Sequence, residues 1–423
     1  MTRMKSRRPI WGSALPLLLL VLLAAPSAAS AQLPPGFYEH EVPVATRFCD
    51  QGGDPAAPGN GADPRGVSPS SPNPLSGVRF FTNPIGDPAY EDMRRYARSG
   101  QNGNADLMAR IAGQPRGSWF GKFTSPNFFD KVRNYLNCAQ WLQPGTVPIM
   151  VVLRAQAQQC NPNYTAGGVP EDNATKRWYD DFVQAVGNAR VVIAFEPDSI
   201  GTIECLARSR RAARRKVLRY GVNALSKLPN ATVYIEGTAS DWESPKYVAK
   251  TLKYLGVSKV RGFMLNVTHY AWTVDNIAFG RKVSRKIGGK PFMVSTSYNG
   301  RGPVHYMVGP SHHQRRINVY CNPRYRGLGP TPTGDTGFAK VDGFLWLNRP
   351  GISGAGGCNG APPTAGTWWP ARALMYAKYA TDWLKPPRGT KFGFTQHLSL
   401  CQLGAPLANG KYSMVAPERR CRG

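Results

Sequence analysis

From Val78 onward the chain repeats one pattern: short apolar runs separated by longer stretches with helical spacing. The runs predict strands at Val78–Phe81, Ser118–Phe120, Pro148–Leu153, Val191–Phe195, Thr232–Glu236, Gly262–Val267, Pro291–Thr296 and Gly343–Leu347. Amphipathic spacing predicts helices at Trp178–Val186, Arg214–Leu228 and Val274–Ile287, with a last one at Arg372–Leu384. Strand–helix alternation of this length implies a parallel sheet with helices outside it, closing into a barrel. The expected class is therefore α/β, with a TIM-like (β/α) barrel over 78–385.

One stretch stands out within that pattern, Arg190 to Cys205. Val191 to Phe195 is apolar at every position, as in a strand covered on both faces. Pro197 cannot continue a central ladder, so the strand ends there. Glu196 and Asp198 thus stand at the carboxyl end of a buried strand, the end that carries chemistry in barrels. Asp198 either projects into the site or caps a helix that Ser199 would also start. Other strand ends carry aromatic rings and amides: Trp119, Trp242, Asn266, Tyr298-Asn299, Tyr320-Cys-Asn322 and Trp346. Sugar rings offer apolar C–H faces and a rim of hydroxyls, which such groups suit.

The flanking segments read differently. A basic start, an apolar stretch from Ala14 to Ala25 and Ala29-Ser-Ala31 form a signal peptide over 1–31, so a secreted, extracellular protein is expected. Residues 32–77 form an arm and a Gly/Pro/Ser-rich linker, and 386–423 a C-terminal extension. No later run is long enough for a transmembrane segment. Eight cysteines in an exported chain suggest four disulfides, and no zinc spacing occurs among them. P-loop, dinucleotide and G-x-S-x-G motifs are missing, so no cofactor or metal is expected.

Charge narrows the list of partners. The 423 residues carry a formal +28. Loss of the signal removes Arg3, Lys5, Arg7 and Arg8 and leaves +24. Such a field favours anionic partners, with nucleic acid bound only non-specifically. The densest run, Arg208 to Arg219, is either the solvated face of a helix or a dedicated binding face.

The motifs together resemble glycoside hydrolase family 6, the secreted β-1,4-glucanases that include endoglucanases and cellobiohydrolases. The resemblance covers roughly Val78 to Leu384. It rests on Trp119-Phe-Gly-Lys-Phe-Thr124, Cys160 with Ala166-Gly-Gly168, Glu196-Pro-Asp-Ser199, Arg261-Gly-Phe-Met-Leu-Asn-Val267, Thr296-Ser-Tyr-Asn-Gly300, Cys321-Asn-Pro323, Val341-Asp-Gly-Phe-Leu-Trp346 and Trp368-Trp-Pro370. It implies a distorted seven-stranded barrel and hydrolysis of a β-glucan, or a related and even anionic polysaccharide, with inversion. Asp198 would be the general acid. Trp119, Thr165, Trp242, Asn266, Tyr320 and Asn348 would be substrate-binding residues. Disulfides Cys160–Cys205 and Cys321–Cys358 are implied, and Cys49–Cys138 and Cys401–Cys421 are the pairings left over. A monomer is expected.

The sequence departs from the family around one sugar subsite. Gln159 stands where relatives have an Asp that tunes the acid and relays a proton from water. Gln158 replaces an Arg and Leu153 a Tyr. Asn348, Ile352 and Gly354 replace a Lys, a Glu and an Asp, and Ala239 replaces a His. Glu171, Asp172 and Glu196 are the nearby carboxylates that would have to take over. The alternative to an active glycosidase is a catalytically silent glycan-binding protein on the same barrel.

Overall fold

The computed structural model describes residues 72–390, except 125, 156–168, 309–314, 319–320 and 355–358. Two helices, α1 (Pro88–Arg98) and α2 (Asn102–Ala112), precede the first sheet strand. The order is then β1 (Ser118–Gly121), α3 (Phe128–Leu142), β2 (Ile149–Leu153), α4 (Val169–Val186), β3 (Val191–Phe195), α5 (Arg208–Leu225), β4 (Ala231–Glu236), α6 (Pro245–Leu255), β5 (Gly262–Leu265), α7 (Thr273–Lys286) and β6 (Phe292–Ser295). An antiparallel hairpin follows, β7 (His305–Val308) with β8 (Arg315–Asn318). Strand β9 (Val341–Leu345) and helix α8 (Pro370–Lys378) complete the described chain.

Seven strands form one parallel sheet in the order β1-β2-β3-β4-β5-β6-β9. The sheet curls, and a lone parallel bridge between Arg116 and Trp346 joins its two edges. This is the distorted barrel expected from the strand–helix rhythm. Alternate side chains divide between two cores, as the two-residue strand period requires. Ile149, Val151, Val192, Ala194, Tyr234, Met264, Met293 and Leu345 fill the interior. Met150, Val152, Val191, Ile193, Phe195, Val233, Ile235, Phe263 and Phe292 face the helices. A third cluster joins α1, α2 and α8 through Tyr90, Met108, Ile111, Trp346 and Tyr376.

Several expected elements differ. Val78–Phe81 is not a sheet strand: Phe80 makes a single bridge to Val147, and Gln143 takes both the N–H and C=O of Thr82. No helix begins at Ser199. The chain turns there, with Ser199 N–H bonded to the Glu196 carbonyl, and α5 starts only at Arg208. Helix α8 ends at Lys378, not Leu384. The β7–β8 hairpin carried no strong alternation and was not expected.

A buried ion pair ties the sheet together. Arg261 Nε and Nη2 donate to Asp342 Oδ2 and Oδ1 at 2.7 and 2.9 Å, and Tyr234 Oη donates to Oδ2 at 2.7 Å. These residues come from β9, β4 and the entry to β5. Removing one member of a buried pair strands the other's charge, at a cost of about 3–5 kcal/mol. Asp342→Asn is therefore expected to lower unfolding stability by about that amount in urea titration. A loss below about 1 kcal/mol would show that the network does not hold the barrel.

Candidate active site

Three adjacent strands end in residues with left-handed backbone. Glu196 and Asp198 follow β3 with φ of 55° and 68°, Thr238 follows β4 with 66°, and Asn266 follows β5 with 67°. Such conformations are costly outside glycine and gather where a fold must aim side chains. Here they bring Asp198, Glu236 and the β5 loop to one end of the sheet.

Asp198 is only partly covered, and its Oδ1 accepts a 2.5 Å hydrogen bond from Thr268 Oγ1. Burial raises its pKa above the ordinary 3.8, against the opposing pull of the Thr268 bond and the nearby His269. Its neighbour in charge is Glu236, the last residue of β4, which is 3% exposed. Glu236 Oε2 accepts from the Ile200 N–H at 2.8 Å and Oε1 from the Thr238 N–H at 2.5 Å. Burial first, and then the Asp198 charge, push the Glu236 carboxyl up to about 8. Glu236 thus retains its proton near neutral pH.

A second pair lies beside the first. His269 Nδ1 meets Asp241 Oδ1 at 2.8 Å, and the imidazole stacks on Trp242 with centroids 4.6 Å apart and planes 16° from parallel. The indole also rests on Gly201, where an added Cβ would lie 2.3 Å from Trp242 Cζ2. Glycine is thus required in the turn after Asp198. Glu236, Thr268, His269 and Asp241 are absent from the sequence-based site. A carboxylate closing the apolar run of β4, as Glu196 closes β3, was the available signal.

The expected residues fare unevenly. Trp242 flanks the site, half-buried. Trp119 lies within β1, half-buried, and donates its Nε1 to the Leu347 carbonyl at 2.8 Å. Asn266 is 2% exposed, and its amide bonds the Ala271 and Ser295 backbone. Asn348 likewise donates to Tyr298 Oη at 2.9 Å and accepts from the Arg349 N–H. Both amides fix loops, because buried polar groups must be hydrogen-bonded. Thr165, Tyr320, Gln158, Gln159, Cys160 and Cys358 lie outside the described residues, as does the side chain of Cys205. Cys138 and Cys321 are disulfide-bonded. Their expected partners, Cys49 and Cys358, are not among the described residues.

The three substitute carboxylates are engaged elsewhere. Glu196 accepts from the N–H groups of Arg154 and Ala155 and from Tyr179 Oη, holding β2 to α4. Glu171 pairs with Arg154 at 2.6 Å, and Asp172 with Arg210 at 2.7 Å. Among the described residues no group of three His, Cys, Asp or Glu side chains could hold a metal ion.

Glu236 gives a stability signature. Below its ordinary value of 4.5 it is protonated in both folded and unfolded chains and has no effect on pH dependence. Between there and about pH 8 the unfolded chain loses a proton that the folded chain keeps, so stability falls as pH rises. The loss should reach a few kcal/mol, on the order of 1.4 per pH unit. Glu236→Gln should flatten this fall in denaturation measured from pH 5 to 8.5. Parallel profiles for parent and variant would contradict the assignment.

Comparison with known proteins bears on this arrangement. Residues 75–380 match the model of glycosyl hydrolases family 6. The chain is 31% identical over 311 residues to endoglucanase A of Cellulomonas fimi, covering 73% of this chain and 62% of that protein. It is 30% identical over 284 residues to endoglucanase 1 of Streptomyces halstedii, covering 65% and 81% respectively. The solved endoglucanase Cel6 from Mycobacterium tuberculosis superposes with a TM-score of 0.63 at 29% identity, over 73% of this chain and 99% of that one. That enzyme was solved in complex with methyl-cellobiosyl-4-deoxy-4-thio-beta-D-cellobioside. The chain thus spans less than two thirds of the Cellulomonas protein, but the match covers most of its own length and its whole barrel, and it belongs to glycosyl hydrolase family 6.

Proposed function

We propose that the chain is a secreted glycosidase that hydrolyses β-1,4-linked glucan with inversion, and that Asp198 is its general acid. One observation carries this reading: Asp198 stands at the strand ends beside the buried Glu236, its Oδ1 held by Thr268, where burial raises its pKa. Protonating a glycosidic oxygen needs a carboxyl still protonated at the working pH. In relatives of this family that task is aided by an Asp at the position of Gln159. Here Gln159 is neutral, and burial, instead of a neighbouring charge, raises the Asp198 carboxyl.

Trp242 flanks the acid with an indole suited to a sugar face. Thr268 fixes the Asp198 carboxyl, leaving its second oxygen for the bond to be cleaved. Two buried hydroxyls next to the carboxyl pair, Ser199 Oγ and Thr238 Oγ1, have no hydrogen-bond partner. The Mycobacterium relative, solved in complex with methyl-cellobiosyl-4-deoxy-4-thio-beta-D-cellobioside, and the 1,4-beta-D-glucan cellobiohydrolase C of Emericella nidulans among more distant relatives, support the substrate class.

The competing reading, a silent glycan-binding barrel, is favoured by the engagement of Glu171, Asp172 and Glu196 in other contacts. Turnover separates the two. On a soluble β-glucan the parent is expected to release reducing ends, and Asp198→Asn to do so about 10²–10⁴-fold more slowly with oligosaccharide affinity retained. Absence of product from both, with equal binding, would replace the hydrolase reading with the binding one.

A further inference from the structure

Helices α5, α6 and α7 pack side by side on the outside of the barrel, and their charge is one-sided. Helix α5 carries seven Lys and Arg and no acid, α6 three and none, α7 four and a single Asp275 in its first turn. Some of this charge is neutralised: Arg210 pairs with Asp172, and Arg211 and Arg215 with Glu204. These pairs involve the first half of α5. Lower down, Lys216, Arg219, Lys250, Lys253, Lys282 and Lys286 are exposed, and none of them forms an ion pair among the described residues. Attraction to the helix dipole accounts for Lys253 and Lys286 in their last turns. It does not account for the missing acids.

Aromatic rings are set among these cations. Tyr254 is 40% exposed, and the Arg219 guanidinium crosses from α5 to lie 5.5 Å from its ring centroid. Tyr220 is 37% exposed, with Lys176 over its ring at 5.8 Å. Lys253 lies eight residues, about 12 Å, beyond the start of α6, along a helix that runs back from the strand ends toward the other end of the barrel. The patch is therefore separate from the cleft.

We propose that the α5–α7 face is a second binding surface, for an acidic polysaccharide. Unpaired cations meet its anionic groups, and Tyr254 offers a ring for a sugar to stack on. The positive sign of the partner's complement comes from the surface alone. Its saccharide nature rests on the proposed polysaccharide activity, since a protein working on such polymers meets acidic ones among them. Binding here holds the barrel on a charged matrix while the cleft stays open.

The test uses the full-length protein and three probes: polygalacturonate, a neutral β-glucan oligomer, and duplex DNA at the same charge concentration. Polygalacturonate is expected to bind, with affinity falling steeply as salt rises. The triple variant Lys250→Gln/Lys253→Gln/Lys282→Gln is expected to bind it about tenfold or more weakly, with a shallower salt dependence. Tyr254→Ala is expected to weaken polygalacturonate severalfold and leave DNA binding unchanged. Thermal melts matching the parent show that the variants fold. The proposal is overturned if the triple variant binds like the parent. It is also overturned if DNA binds as tightly as polygalacturonate and Tyr254→Ala affects neither, which marks a general polyanion surface. The readout is binding, so a failure of the hydrolase reading through Asp198→Asn leaves this result interpretable on its own.

Discussion

The burial of two neighbouring carboxyls, Asp198 and Glu236, sets the terms for the rest of the site. Burial disfavours the ionised form of both, and the Asp198 charge adds to this at Glu236, which keeps its proton up to about pH 8. Glu236 is gripped by backbone N–H groups of Ile200 and Thr238, and so stands fixed against the turn that carries Asp198. Thr268 then holds Asp198 in place, and His269 next to it limits how far its acidity is weakened. The left-handed residues at 196, 198, 238 and 266 are the backbone form of the same constraint. They bend three strand ends so that groups from β3, β4 and β5 converge.

That geometry needs a rigid frame. The parallel sheet supplies it, with apolar side chains on both faces and a buried Arg261–Asp342–Tyr234 network linking strands far apart in sequence. Glycines at tight contacts serve the same end. Gly201 lets the Trp242 indole lie on the turn after Asp198, which in turn lets His269 stack on the indole. The frame also explains why the lost acidic positions around the subsite do not empty the site of chemistry. Asp198 and Glu236 are carried by the ends of β3 and β4 themselves.

Much of the fold was legible because its signal is local. The unbroken apolar run of β3 and the stop at Pro197 are properties of neighbouring residues, and the sheet strands from β1 to β6 were placed within a residue or two. Where a competing partner decides, the pattern failed. Gln143 takes the backbone of Thr82, so the run before it never joins the sheet. Ser199 has the chemistry of a cap but sits in a turn, and α5 begins behind Ala207 with no side-chain cap at all. An amide at a strand end looks the same in sequence whether it meets a sugar or a backbone carbonyl, so the backbone bonds of Asn266 were not legible. His269, Asp241 and Glu236 lie on separate segments, and only folding makes them neighbours of Asp198.

The proton on Glu236 is open to direct observation. Infrared difference spectroscopy through a pH titration reads the C=O stretch of a protonated carboxyl against the carboxylate bands. The parent should show a protonated carboxyl at pH 7 that disappears as pH passes through about 8, and the band should be absent from Glu236→Gln or shifted to Asp198. A parent with every carboxyl ionised at pH 7 would contradict the pair and the chemistry built on it.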